Sequence, residues 1–162
     1  MLTENQKTQT SIQERRKESL QLIKDLIKTR TEVLALYSRL AGNKPFDGNA
    51  NQEIFDLLEE FCELLIDYTA NAHFRLYRFI DDNKEKRKAV FEVADKTYPR
   101  IREITQTILD FNDKYDPQGN RDHGNSLNGL EKDLSTLGEQ MAERIELEDQ
   151  IIEAMSAGRV RH

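Results

Sequence analysis

The chain contains few of the residues that disulfide frameworks, metal centres and tight turns require. Its 162 residues include 7 glycines, 3 prolines, 3 histidines, 1 cysteine and no tryptophan. The single cysteine cannot form an internal disulfide, and the polar start "MLTENQKTQT" lacks the apolar stretch of a secretory signal, so we expect a cytoplasmic protein. No apolar run reaches the roughly 18 residues of a membrane-spanning helix, so we expect no insertion into a membrane.

The motifs of common enzyme classes are also missing from the sequence. No histidine follows a glutamate at the three-residue spacing that di-iron helical bundles use. No GxxxxGK[ST] phosphate-binding loop occurs. Cys62 has no histidine close by in the sequence, which favours a buried, inert thiol over a nucleophile. We therefore predict a protein that is not an enzyme and that uses no cofactor and no metal.

Charge is abundant and mostly negative. Charged residues make up 33% of the chain, and the net charge is −6. Nucleic-acid phosphates require concentrated positive charge, so we expect no direct binding to nucleic acid. Acidic side chains concentrate in two blocks, Asp47 to Asp82 and Glu139 to Glu153. Each block is typical of a solvated helix face, but together they also suit a partner with a basic surface.

Apolar residues recur at helical spacing in four segments, and no segment shows strand alternation. The first runs from near Ser11 to a stop at Gly42, and Arg30, within its apolar stripe, is expected to snorkel or pair with a carboxylate. The second runs from about Asn51 to Asp81 and would be roughly 45 Å long. The third consists of two shorter patterns split at Pro99, which either opens a new helical turn or kinks a continuous helix.

The last segment carries the most regular apolar pattern, with steps of three and four that are typical of a helical bundle. Its apolar residues are Leu127, Leu130, Leu134, Leu137, Met141, Ile145, Ile151, Ile152 and Met155. The sequence thus predicts an all-α fold, a single-domain antiparallel helical bundle with a long central helix. We expect residues 1–10 to fray, residues 11–157 to form the bundle domain and residues 158–162 to form a tail.

The second segment has two distinct sides. Its core stripe is predicted to comprise Tyr68, Ala72, Leu76 and Phe79. The opposite side is predicted to comprise Glu63, Asp67, Ala70, Asn71 and Phe74, followed by Tyr77 or Arg78. An aromatic ring among carboxylates and small residues is typical of a protein-binding patch, although single exposed phenylalanines are also common.

Four stretches of this chain, taken in order, resemble one protein family. They are "LYSRLAGNKP", "FCELLIDYTANAHFRLY", "YPRIREIT" and "ERIELEDQII". Together they resemble the regulator of sigma D family (Rsd/AlgQ), which are bacterial anti-sigma factors. The likeness extends from about Leu22 to the terminal "GRVRH", which is nearly the whole chain.

The resemblance implies a helical domain that binds the primary sigma factor of RNA polymerase. Bound sigma would be kept from the core polymerase and from the −35 promoter element, which favours alternative sigma factors as growth slows towards stationary phase. By the same resemblance, Asp67 would contact a basic sigma side chain and Phe74 would be the apolar anchor. Weak self-association through the acidic face stays open.

The sequence departs from the family pattern at three positions. Ala70 stands where relatives often have serine, Ala72 replaces a glycine, and Leu26 occupies a position where relatives carry tryptophan. These departures leave room for an alternative function, a helical adaptor or sensor that binds another regulatory protein or enzyme.

Overall fold

The computed structural model describes residues 3–43, 52–81, 87–115 and 129–157. Its elements are α1 (Glu4–Ala41), α2 (Gln52–Asn71), a π-helical turn (Ala72–Tyr77), α3 (Arg78–Asp81), α4 (Lys88–Tyr115) and α5 (Leu130–Ala157). The described ranges contain no strand, and the prediction of an all-α bundle is confirmed. The predicted loop at 116–126, the tail at 158–162 and Leu127 lie outside the described residues.

Helix α1 begins at Glu4, and the predicted start near Ser11 is wrong. The hydroxyl of Thr3 accepts a hydrogen bond from the backbone N–H of Gln6 at 3.2 Å, and the Gln6 side chain accepts one from the backbone N–H of Thr3 at 2.8 Å. This capping box starts the helix ahead of the part of α1 that carries the apolar stripe. Helix α1 therefore reaches 38 residues, and it is longer than the central segment predicted to dominate the domain.

The segment from α2 through the π-helical turn to α3 is continuously helical, as its apolar stripe predicted. Tyr68, Ala72, Leu76 and Phe79 are all buried. The π-helical turn itself was not predicted. Of the two outward alternatives, Arg78 is exposed, whereas Tyr77 is buried in the core.

Neighbouring helices run in opposite directions, as contacts between distant residues show. The contacts are Tyr37 with Phe61 and Asp25 with Arg75 between α1 and the α2 segment, and Arg100 with Glu143 and Lys114 with Asp133 between α4 and α5. In each pair, rising residue numbers on one helix meet falling numbers on the other. Helix α2 also packs on α4, and α1 packs on α5, which closes a four-sided bundle.

Helix α4 continues through Pro99 as one helix, so Pro99 does not divide the third segment into two. Its buried side, which includes Ile101, Ile104 and Ile108, faces the core. None of the helices within the described ranges combines the length and apolar content needed to cross a bilayer.

Two predictions about single side chains in the core can be compared with the structure. Arg30 pairs with Asp149 at 2.9 Å across the bundle, which confirms that its charge meets a carboxylate. Cys62 is buried at 1% exposure, as predicted for a structural thiol. Leu26 is also buried, at 2% exposure, so this position belongs to the core and does not contribute to the exposed surface of α1.

Candidate protein-docking site

The five residues predicted to face a partner all lie on α2 and the π-helical turn. Glu63, Asp67 and Phe74 are exposed, and Ala70 and Asn71 are half-buried. We call these five residues the docking face. The four α2 members fall within about 100° of one another around the helix axis, because an α-helix turns about 100° per residue. The predicted side of the helix is therefore open to a partner.

Phe74 is the most exposed large apolar side chain among the described residues, at 62%. Its ring meets the ring of His73 edge-on, with centroids 4.8 Å apart. The two rings border different concavities, because Phe74 lines one and His73 lines the other. An exposed aromatic ring can enter a pocket on another protein.

The larger concavity is a groove of about 690 Å³ between α1 and the π-helical turn. Its lining residues are Lys17, Glu18, Gln21, Leu22, Phe74, Arg75, Arg78 and Phe79. Three of these side chains are cationic and one is anionic, so the groove is basic. Arg75 also pairs with Asp25 at 2.9 Å.

The basic groove changes the electrostatic description of the docking face. The sequence predicted an aromatic ring within an acidic surface. In the structure, Glu63 and Asp67 lie on the α2 side of Phe74, whereas Lys17, Arg75 and Arg78 share its groove. The sequence did not reveal this polarity because Lys17 lies on α1 whereas Arg75 and Arg78 lie beyond α2, and only the folded bundle brings them to one groove. Phe74 therefore lies where an acidic surface meets a basic one.

Behind the docking face, the bundle core contains a hydrogen-bonded polar cluster around the carboxylate of Glu148. The Tyr77 hydroxyl donates to Glu148 Oε2 at 2.9 Å, and the Tyr68 hydroxyl donates to Glu148 Oε1. Arg144 Nε donates to Glu148 Oε2 at 3.3 Å, and its Nη1 donates to Thr105 at 2.6 Å. Glu148 and Arg144 are 0% and 1% exposed, so the carboxylate at the centre of the cluster is shielded from solvent.

Burial and the nearby Glu148 charge hold the pKa of Tyr68 and of Tyr77 well above the ordinary tyrosine value. Both phenols are therefore neutral donors at physiological pH. Arg30 Nη1 lies 3.8 Å from Glu148 Oε1, so the guanidinium groups of Arg30 and Arg144 both lie within ion-pair distance of the buried carboxylate. Removing one partner from such a cluster would leave a charge or a polar group unsatisfied in the core.

Sequence reasoning missed this cluster by placing Glu148 and Arg144 in a solvated acidic block. The signal was present in α5. The alternating steps of three and four that connect Leu130 to Met141 reach Ile151 only if positions 144 and 148 also belong to the buried side of the helix. The predicted seam used Ile145 instead, which is half-buried.

A smaller cavity of about 250 Å³ opens between the π-helical turn and α4. Tyr77, Tyr98 and Arg144 are among its lining residues, and His73 lies at the same cavity. The Tyr98 hydroxyl donates to the backbone carbonyl of Tyr77 at 3.4 Å. Within the described ranges, no group of three or more metal-ligating side chains converges on a point.

The fold and the site define the class: an all-helical bundle with an exposed phenylalanine on a charged helix face. The sequence profile described as "Regulator of RNA polymerase sigma(70) subunit, Rsd/AlgQ" matches residues 1–156. The chain belongs to the Rsd/AlgQ family. This confirms the resemblance seen in the sequence.

Individual relatives agree with the family assignment. A protein named "Regulator of sigma D" from Yersinia enterocolitica serotype O:8 is 33% identical over 136 residues, which cover 83% of this chain and 80% of the relative. A protein of the same name from Shigella boydii serotype 4 is 31% identical over 153 residues, covering 94% of this chain and 95% of the relative. No solved structure matches this chain.

Proposed function

We propose that this protein is an anti-sigma factor that binds the primary sigma subunit of bacterial RNA polymerase and sequesters it. Membership of the Rsd/AlgQ family carries the proposal, because that family is described as regulating the sigma(70) subunit. The exposed Phe74 on a charged helix face supplies a surface suited to the task. Such a protein would act in the cytoplasm, where the polymerase is.

Phe74 would be the central apolar anchor of the complex. An aromatic side chain has few rotatable bonds, so it loses little conformational freedom on binding while it buries a large area, which is why aromatic residues dominate the energetics of many interfaces. The short side chains of Ala70 and Asn71 beside it would let a partner helix approach the α2 backbone closely.

The two charged regions would orient the partner around that anchor. Glu63 and Asp67 suit the basic surface with which a sigma factor contacts promoter DNA, and they would accept hydrogen bonds or ion pairs from it. The cations in the groove at Phe74 would suit acidic side chains at the edge of the same partner. Opposite charges on the two sides of one ring favour a single docking orientation.

The mechanism would be stoichiometric occlusion. A sigma factor held on this face would have its promoter-recognition and core-binding surfaces covered, and no covalent chemistry would be needed. The released core polymerase would then be open to alternative sigma factors.

The proposal is tested by titrating the protein into purified primary sigma factor in a calorimeter, then repeating the titration with core polymerase already bound to sigma. We expect saturable binding at a one-to-one ratio, and competition with core. Absence of heat with free sigma would overturn the proposal. A pull-down from cell extract in which the main captured protein is another regulator would favour the adaptor alternative.

A further inference from the structure

Tyr68 and Tyr77 face the same buried carboxylate, although regular α-helical geometry would forbid it. Tyr77 lies nine positions after Tyr68, and at about 100° per residue an α-helix would place the two on opposite sides of its axis. The π-helical turn at Ala72–Tyr77 reduces the angle between them from about 180° to about 80°. It accommodates one extra residue in a helical turn, which shifts the residues after it by about 100°.

Glu148 is hydrogen-bonded to the helix both before the π-helical turn and at the end of the turn. One carboxylate oxygen accepts from Tyr68, before the turn, and the other accepts from Tyr77, at its end. Glu148 is fully buried on α5, so these bonds do not compete with water. An α-helical path from Tyr68 to Tyr77 would break one of them.

Helix α4 supports the turn from the other side. The Tyr98 hydroxyl donates to the Tyr77 carbonyl at 3.4 Å, and the two rings pack edge to face with centroids 5.2 Å apart. A π-helical turn disturbs the regular ladder of backbone hydrogen bonds, and a side-chain donor at a carbonyl compensates for part of that loss.

We propose that Glu148 and Tyr77 are positioning residues that lock the π-helical turn and thereby fix the direction in which Phe74 is presented. Phe74 lies inside the turn, between the two anchored tyrosines. Without the Tyr77 hydroxyl, the turn can relax towards α-helical hydrogen bonding, which rotates the residues of the turn relative to α2. The effect on sigma binding rests on the function proposed above, whereas the effect on Phe74 exposure does not.

The chain has no tryptophan, so Phe74→Trp places a single fluorescent reporter inside the turn. In that background, Tyr77→Phe removes one hydroxyl and keeps the ring. We expect at least about a twofold change in acrylamide quenching of the reporter. The matched control is Tyr37→Phe, which removes the hydroxyl that donates to the Leu134 carbonyl at 2.9 Å. We expect quenching within experimental error of the parent for this control, even if melting temperature falls in both variants.

Binding to primary sigma factor is then measured with Phe74 intact. We expect Tyr77→Phe to weaken binding about tenfold, the ratio that one hydrogen bond to a charged group supplies, and Tyr37→Phe to stay within twofold. If Tyr77→Phe does not fold, Tyr98→Phe removes the donor to the Tyr77 carbonyl and is expected to change quenching in the same way.

The possible results separate the two proposals. Equal quenching in the Tyr77→Phe, Tyr98→Phe and Tyr37→Phe variants would overturn the positioning role, whatever happens to binding. Changed quenching in a protein whose sigma binding is insensitive to Phe74→Ala would keep the positioning role and remove Phe74 from the docking site.

Discussion

Replacement of Phe74 by alanine distinguishes a binding role from a structural role, because the two roles predict different losses of binding free energy and of folding stability. The ring is 62% exposed in the free protein, so the fold buries only a little over a third of it. Full burial of a phenylalanine is worth about 1.5–3 kcal/mol, which limits the loss of folding stability to about 1 kcal/mol. Alanine is also the better helix former by about 0.5 kcal/mol, which offsets part of that loss.

The substitution should reduce the free energy of binding to sigma more than it reduces the free energy of unfolding. Covering the exposed part of the ring in a partner pocket contributes about 2 kcal/mol, so the Kd for primary sigma factor should rise about 30-fold. Calorimetry gives the Kd, and thermal melts followed by circular dichroism give the stability. Leu109→Ala on α4 is the matched control, because Leu109 is also exposed, at 39%, but lies outside the docking face. An unchanged Kd, or a collapse of the melting temperature, would refute the reasoning.

Three further predictions address charge, packing and pH. Asp67→Lys should slow association with sigma and flatten its dependence on salt, measured by stopped flow; unchanged kinetics at low salt would remove Asp67 from the site. Gly138→Ala should lower the free energy of unfolding by about 1 kcal/mol in urea titrations, because the new Cβ would overlap the Tyr37 hydroxyl, which donates to the Leu134 carbonyl, and would lie 2.8 Å from Cζ of Tyr37, a clash that outweighs the roughly 1 kcal/mol by which alanine favours a helix over glycine; equal or higher stability would show that Tyr37 moves freely. Burial, with a hydrogen bond to Asp133, raises the pKa of Tyr115 to about 12 from 10.0. This stabilisation is present below pH 10 and lost as pH rises towards 12, so Tyr115→Phe should flatten the alkaline fall in melting temperature; a parallel fall would contradict the assignment.

The sequence predicted the helical architecture because apolar spacing marks the buried side of a helix wherever its core residues are apolar. The core stripe at Tyr68, Ala72 and Leu76 and the exposed side at Asp67 and Phe74 followed from that spacing. The start of α1 could also have been predicted, since threonine followed three residues later by glutamine is a known N-terminal signal.

The features that the sequence did not reveal depend on contacts between helices. Arg144 and Glu148 are polar in isolation and become core residues only because Tyr68, Tyr77 and Thr105 satisfy them. The π-helical turn depends in turn on that cluster, so no local pattern in "AHFRLY" announces it. A buried charged residue is predicted from the sequence only when its place in the repeat of three and four residues is given more weight than its polar character.

The central claim is that Phe74 on the docking face contacts the primary sigma factor directly. Site-specific photo-crosslinking tests it with p-benzoylphenylalanine at position 74 and, as a control, at position 109, where an exposed leucine lies on α4. We predict a covalent adduct with primary sigma factor from position 74 and none from position 109. Adducts from position 109 alone, or a complex that forms without crosslinking at position 74, would contradict the account.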